Sequence, residues 1–268
     1  MSGFLARMEA SSASRVREAA AREPAEMLRK RAQRAPAAPR LRNGHAFDLI
    51  AEYKRSSPAR GRLAAKDDAR MRRVEAYARG GALVVSVLTE PTLFDGSIEH
   101  LEECAAALAP LGVPVMRKDF LVDAYQLYEA RAAGAGGALL IVRLLDDATL
   151  AGLLECARDL SLFTLLECFD AADIGRALRH VRDDSVLLGV NCRDLESLAV
   201  EPSRLAALAP LLPSGHVRVA ESGLETPEDC ASAARAGYQV ALVGGALMTA
   251  PDPEAMVRRM LQAGRAAA

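Results

Sequence analysis

Eight short apolar runs recur along the chain, and between consecutive runs lies one segment with the residue spacing of a helix. The runs are Phe47–Ala51, Ala82–Leu88, Val113–Met116, Ala138–Val142, Leu162–Leu166, Val186–Val190, Val217–Ala220 and Val240–Val243. They are continuous rather than alternating, the pattern of parallel strands buried on both faces. The segments of helical character are Asp68–Arg79, Ser97–Leu108, Asp123–Ala133, Asp146–Leu160, Ala171–Arg179, Pro202–Ala209, Pro227–Ala236 and Pro253–Gln262. Local punctuation agrees. Thr226-Pro227-Glu228-Asp229 supplies an N-cap, a proline at the first helical position and acids in the first turn. Gly80, Gly134 and Gly237 stand where helices should end.

Eight strand-then-helix units predict an α/β protein, a closed (β/α)8 barrel of the TIM type, and 268 residues suit one such domain. The rival is an open doubly wound sheet, which usually brings a GxGxxG turn after its first strand. The first run here leads instead into EYKRSSP. Upstream, MSGFLARMEASSASRVREAA lacks the apolar core of a signal peptide, and Glu9 and Glu18 argue against a transit peptide. It reads as an amphipathic helical extension, and the Pro- and Arg-rich stretch RAPAAPRLRNG as a linker. The expected division is an extension and linker over residues 1–45 and a barrel catalytic domain over residues 46–268.

Barrels of this kind place their chemistry at the C-terminal ends of the strands. The residues that follow the apolar runs are polar at one rim: Glu52 and Lys54 after the first, Lys118 after the third, Glu167 after the fifth, Asn191 and Arg193 after the sixth, Glu221 after the seventh. Polar residues mark strand exits in any fold, but glutamate and lysine are rarely buried unless paired or functional. Glu52 and Lys54 are two positions apart, so both face the same side of an extended strand and set each other's charge state.

Glycines after the last two strands add a second signal. Ser222-Gly223 and Gly244-Gly245 each precede a helical segment, and free backbone N–H groups in these two loops form a phosphate site in many barrels. The residues therefore predict acid–base chemistry on a small sugar-phosphate-like anion.

Other classes are disfavoured. The net charge of −1 provides no field for nucleic acid or an anionic membrane. The five cysteines are scattered without a CxxC pair, and the four histidines form no ligand-spaced motif, so no metal is expected and the thiols read as reduced, as in a cytoplasmic protein. The apolar run Ala138–Val142 is far too short to cross a bilayer.

The ordered set AEYKRSSPARG, SVLTEPTLFDGS, VMRKDF, LLECFD, GVNCRDLESL, VAESGL and LVGGALM resembles the indole-3-glycerol phosphate synthase family of tryptophan biosynthesis, from about Phe47 to Met260. The resemblance implies ring closure, decarboxylation and dehydration of 1-(2-carboxyphenylamino)-1-deoxyribulose 5-phosphate, with no cofactor. By motif, Lys118 corresponds to the general acid for the carbonyl and Glu167 to the group acting at dehydration. Lys54 corresponds to a second lysine at the substrate carboxylate, and which lysine serves which proton transfer stays open. Glu52 would orient the lysines, Asn191 would hold a substrate hydroxyl or amine, and Glu221 would complete the polar ring. Arg193 would face the substrate carboxylate or Glu221, or make a salt bridge at the loop base. The implied phosphate site is Ser57, Ser222-Gly223 and Gly244-Gly245, and the implied slot for the aromatic ring is Phe94, Phe120, Leu139, Leu195 and Leu242. The chain departs from many relatives at Gly245, where they have serine.

A phosphate-binding isomerase barrel is the runner-up, disfavoured because an Amadori isomerase needs one acid and one base rather than two lysines. A catalytically silent barrel would have no reason to keep four buried charges. The same reaction in a specialised indole pathway would look identical in sequence. The expected partner is a sugar-phosphate substrate, with no nucleic acid or membrane, and the protein is a monomer or a homo-oligomer.

Overall fold

The computed structural model describes residues 3–42, 44–63, 69–195 and 197–268. Met1, Ser2 and Asn43 of the expected extension and linker, and Asp68, where the sequence starts a helix, lie outside the described residues.

Two helices come first, α1 (Gly3–Arg22) and α2 (Ala25–Arg34), separated at Pro24, whose ring cannot continue the hydrogen-bond ladder of α1. Helix α1 buries Phe4, Leu5, Met8 and Ser12, and α2 buries Leu28 and Ala32. These positions repeat every three or four residues, which puts them on one face of each helix.

Eight strands follow: β1 (Asp48–Tyr53), β2 (Val84–Leu88), β3 (Val115–Lys118), β4 (Gly137–Ile141), β5 (Phe163–Cys168), β6 (Val186–Asn191), β7 (Arg218–Glu221) and β8 (Val240–Val243). They alternate with α3 (Arg70–Arg79), α4 (Ile98–Leu108), α5 (Ala124–Ala132), α6 (Asp147–Asp159), α7 (Ala171–Leu178), α8 (Ser203–Leu208), α9 (Pro227–Arg235) and α10 (Pro253–Ala267). Every strand pairs in parallel with the next, and β1 closes the barrel on β8, with Asp48 opposite Val240 and Ala51 opposite Val243. Each residue of β1, β2, β4, β5, β6 and β8 is buried, as continuous apolar runs require in a sheet covered on both sides. At the barrel floor Gly137 makes room for a ring: a Cβ there would lie 2.3 Å from Phe163.

Side-chain caps set the helix starts. Ser97, Asp123, Asp146, Asp170, Thr226 and Asp252 each accept a hydrogen bond from a backbone N–H of the first turn, a contact worth about 1 kcal/mol apiece.

Strands β1, β5, β6 and β7 run past the last apolar residue and include Glu52, Glu167, Asn191 and Glu221. All four of these polar side chains line the cavity at the barrel mouth. Gly80 stands at the end of α3 as expected, but not in the left-handed conformation. It has φ −68°, and Gly81 takes φ 99° instead. Gly80 is needed for packing, since a Cβ there would lie 2.8 Å from the Val257 side chain and 2.9 Å from the Glu254 carbonyl of α10. Gly134 and Gly237, with φ 86° and 92°, do end their helices as expected.

Candidate active site

Alternation along β3 is the first device that builds the site. Lys118 points into the barrel mouth, whereas Arg117 and Asp119, one position to either side, make their contacts with Thr89, Glu129 and Arg15. In the mouth, Lys118 Nζ donates to Glu167 Oε2 at 2.8 Å and lies 3.5 Å from Glu221 Oε2. Strand β5 supplies Glu167 and β7 supplies Glu221, and both carboxylates are buried.

Burial opposes the charge on Lys118, but Glu167, Glu221 and Glu52 outweigh it and raise its pKa, so the ammonium is protonated at neutral pH. Burial and the neighbouring Glu167 charge push the Glu221 carboxyl well above the usual range, against the opposing pull of Lys118. Among the described residues no N–H donor bonds either Glu221 oxygen, and its neighbour is the Glu167 carboxylate. A Cβ on Gly189 of β6 would lie 2.1 Å from Glu221 Oε1, so the absence of a side chain at Gly189 provides the space for this carboxylate.

Glu52 and Lys54 form a second pair, an ion pair within one stretch of chain, with Glu52 buried and Lys54 half-buried. Burial works against ionisation of Glu52, but Lys54, Lys118 and Arg193 hold its carboxyl below the usual range. Here too a glycine makes the room: a Cβ on Gly244 would lie 2.1 Å from Glu52 Oε1 and 2.9 Å from Lys54 Nζ. Lys118 donates its hydrogen bond to Glu167 rather than to Glu52, which acts on it only through charge. Among the described residues Arg193 donates to a carbonyl, that of Leu198 at 2.8 Å, rather than to a carboxylate. Asn191 Oδ1 accepts from the Arg193 N–H at 2.9 Å.

One cavity gathers every residue singled out in the sequence. Its polar part is Glu52, Lys54, Lys118, Glu167, Asn191, Arg193 and Glu221, and its apolar wall is Phe94, Phe120, Leu139, Leu195 and Leu242. Its third side is Ser57, Ser222, Gly223, Gly244 and Gly245. Ser222 and Gly223 both have positive φ, 70° and 68°, so the chain bends sharply straight after β7. Position 223 also has no space for a side chain, since a Cβ would lie 2.6 Å from Val200 Cγ1.

Among the lining residues that sequence reasoning missed are Phe4, Arg60, Leu198 and Glu225. Phe4 comes from the N-terminal extension and meets Phe120 edge to face with ring centroids 5.9 Å apart. The scarcity of aromatics, only six phenylalanines, is the signal that could have drawn attention to it. Arg60 lies beyond Pro58, on an antiparallel ribbon of Ser56–Ser57 against Gly61–Arg62 that the apolar pattern does not announce. Among the described residues no group of three His, Cys, Asp or Glu is placed to hold a metal, and no helix is long and apolar enough to cross a membrane.

The family model described as indole-3-glycerol phosphate synthase matches residues 5–260. The chain belongs to this family. Among curated relatives, the indole-3-glycerol phosphate synthase of Streptomyces griseus subsp. griseus is 42% identical over 250 residues, covering 92% of this chain and 90% of the relative. That of Kineococcus radiotolerans is 44% identical over 226 residues, covering 84% and 80%. Solved structures show the barrel alone. 3-Hexulose-6-phosphate synthase from Salmonella typhimurium aligns with a TM-score of 0.65 at 15% identity, over 83% of this chain and all of that one (100%). Tryptophan synthase subunit alpha from Legionella pneumophila aligns with a TM-score of 0.57 at 17% identity, over 81% and 92%. As a member of the indole-3-glycerol phosphate synthase family the protein is a carbon–carbon lyase of the carboxy-lyase class.

Proposed function

We propose that this chain closes the indole ring of 1-(2-carboxyphenylamino)-1-deoxyribulose 5-phosphate, releasing carbon dioxide and water, by general acid–base catalysis without a cofactor. The observation that carries this reading is Lys118 Nζ held between Glu167 at 2.8 Å and Glu221 at 3.5 Å, inside a cavity with one apolar wall and one wall of backbone turns. A general acid must be protonated before the reaction begins, and three surrounding carboxylates keep Lys118 so.

In this reading Lys118 delivers its proton to the substrate carbonyl as the ring carbon attacks, and the ammonium also stabilises the developing oxyanion. Glu167, in contact with Lys118, serves the later dehydration. Lys54 binds the substrate carboxylate and acts as the second proton donor, with Glu52 fixing its position. Asn191 and Glu221 complete the polar ring, and Arg193 adds positive charge near the carboxylate. The phosphate lies against Ser57, Ser222-Gly223 and Gly244-Gly245, and the aromatic ring against Phe94, Phe120, Leu139, Leu195 and Leu242. The division into an extension of residues 1–45 and a catalytic barrel of residues 46–268 belongs to the same reading, supported by the barrel closing between β1 and β8 without either extension helix.

The test supplies the carboxyphenylamino-deoxyribulose phosphate and follows indole fluorescence. Turnover is expected, with Lys118→Ala and Glu167→Gln each lowering kcat at least ~100-fold. A wild-type protein that binds the substrate yet never forms an indole product would falsify the assignment.

A further inference from the structure

The cations lining the cavity differ in what holds them. Lys54 is paired with buried Glu52, Lys118 with buried Glu167 and Glu221, and Arg193 with a carbonyl. Arg60 differs in that its ion-pair partner is Glu225, an exposed acid two residues beyond Gly223. The side chains of both are open to solvent, 39% for Arg60 and 50% for Glu225.

The ribbon after β1 determines where Arg60 reaches. Ser57 pairs with Gly61, and the turn between them is closed by the Arg60 N–H, which donates to the Ser57 carbonyl at 3.3 Å and to Ser57 Oγ at 3.2 Å. Gly61 completes the turn with φ 65°. From this tip the guanidinium extends over the loop after β8: a Cβ on Gly245 would lie 2.9 Å from Arg60 Nη1. It thus spans three loops at the end of the cavity where backbone turns converge, held there by a carboxylate.

We propose that Arg60 is a substrate-binding residue whose guanidinium exchanges Glu225 for the substrate phosphate, with Glu225 as the counter-charge that takes it back on release. This rests on the reading that the phosphate occupies the Ser222-Gly223 and Gly244-Gly245 end. Exposed ion pairs contribute little, so leaving Glu225 costs little. A phosphate dianion offers the guanidinium two parallel charge-assisted hydrogen bonds in place of the carboxylate. Glu225 is free to turn into solvent, which removes the like-charge repulsion its carboxylate would otherwise exert on the bound dianion.

The experiment titrates the full chain with inorganic phosphate and with glycerol 3-phosphate by calorimetry, and measures KM and kcat with the carboxyphenylamino-deoxyribulose phosphate. Arg60→Ala and Arg60→Gln should weaken glycerol 3-phosphate binding about tenfold and raise KM by a similar factor, lowering kcat far less. Glu225→Gln should do the opposite, tightening binding and lowering KM a few-fold, because the competing carboxylate is gone. If the pair only fastens the ribbon, both kinds of variant weaken binding together, and that overturns the proposal. Unchanged binding in Arg60→Ala overturns it as well, and so does a wild type that binds neither phosphate compound. Opposite shifts in phosphate affinity in a protein that forms no indole product would uphold the exchange and refute the assigned reaction.

Discussion

Lys118 faces the barrel mouth and Asp119, the next residue, faces the layer between β3 and helix α1, and the two buried charge clusters around them are satisfied to very different degrees. Asp119 accepts hydrogen bonds from Arg15 at 2.7 and 2.9 Å, from Thr89 at 2.7 Å and from the Phe120 N–H at 2.8 Å, with Arg117 at 3.4 Å. Arg117 is fixed in turn by Thr89, Glu129 and the Gln126 carbonyl. Around Lys118, by contrast, no N–H donor among the described residues bonds either oxygen of buried Glu221, whose neighbour is the like-charged Glu167. A saturated buried network holds parts together, while an unsaturated one keeps polar atoms in readiness for something else to bind. The first cluster attaches the extension to the barrel through Arg15, and through Ser12, whose hydroxyl donates to the Phe120 carbonyl at 2.5 Å. The second is where chemistry is proposed.

The sharpest way to break this contrast is Asp119→Ala, which removes the acid that Arg15 and Thr89 bond and leaves Arg117 with Glu129 alone. A loss of ~3–5 kcal/mol in urea denaturation is expected. A loss below ~1 kcal/mol would mean the cluster is not structural.

Arg15→Met should cost less, ~2 kcal/mol at neutral pH, since Asp119 keeps its other donors. Burial opposes ionisation of Asp119, but Arg15, Arg117 and Thr89 hold its pKa below the ordinary value. Its contribution to stability is therefore present above the unfolded value of about 3.9 and is lost as pH falls through the lower folded value. Thermal melts of wild type and Arg15→Met should converge in that acid range, and a gap that stays constant would rule out Asp119 as the source.

The smallest effect belongs to the unsatisfied cluster. Glu221 has a raised pKa, so the stability its protonated form contributes is present below the unfolded value of about 4.3 and lost as pH rises through the folded one. Glu221→Gln mimics the protonated form. It should match wild type in melting at acid pH and become the more stable protein, by up to ~1 kcal/mol, as pH rises. Destabilisation at alkaline pH would put Glu221 among the structural charges.

Much of this architecture was legible because burial and periodicity are local properties. Val240–Val243 is both the apolar run and the strand, and Asp123, Asp146 and Thr226 cap the helices they precede. The charged mouth was legible because glutamate or lysine straight after an apolar run is costly without a partner. What could not be read depends on contacts between distant parts of the chain. Nothing near Arg15 in sequence announces Asp119, and nothing near Phe4 announces Phe120. Arg60 and Glu225 each look like ordinary loop charges until the loops after β1 and β7 are seen side by side. Gly80 follows α3 as its sequence position suggests, but the reason it must be glycine lies in α10, far along the chain.

Closure of the first strand on the last has a consequence for a chain made from one end to the other. Asp48 to Ala51 have no β8 to pair with until Val240 to Val243 have left the ribosome. Until then β1 is an edge, and it is the strand that brings Glu52 into the interior. Its counter-ion, Lys54, is synthesised almost at once, so this charge never awaits a distant partner. Lys118 must wait for β5 and then β7. The order of synthesis therefore provides the nascent barrel with one neutralised pair from the outset, and its remaining charges find their partners as the wall is completed around them.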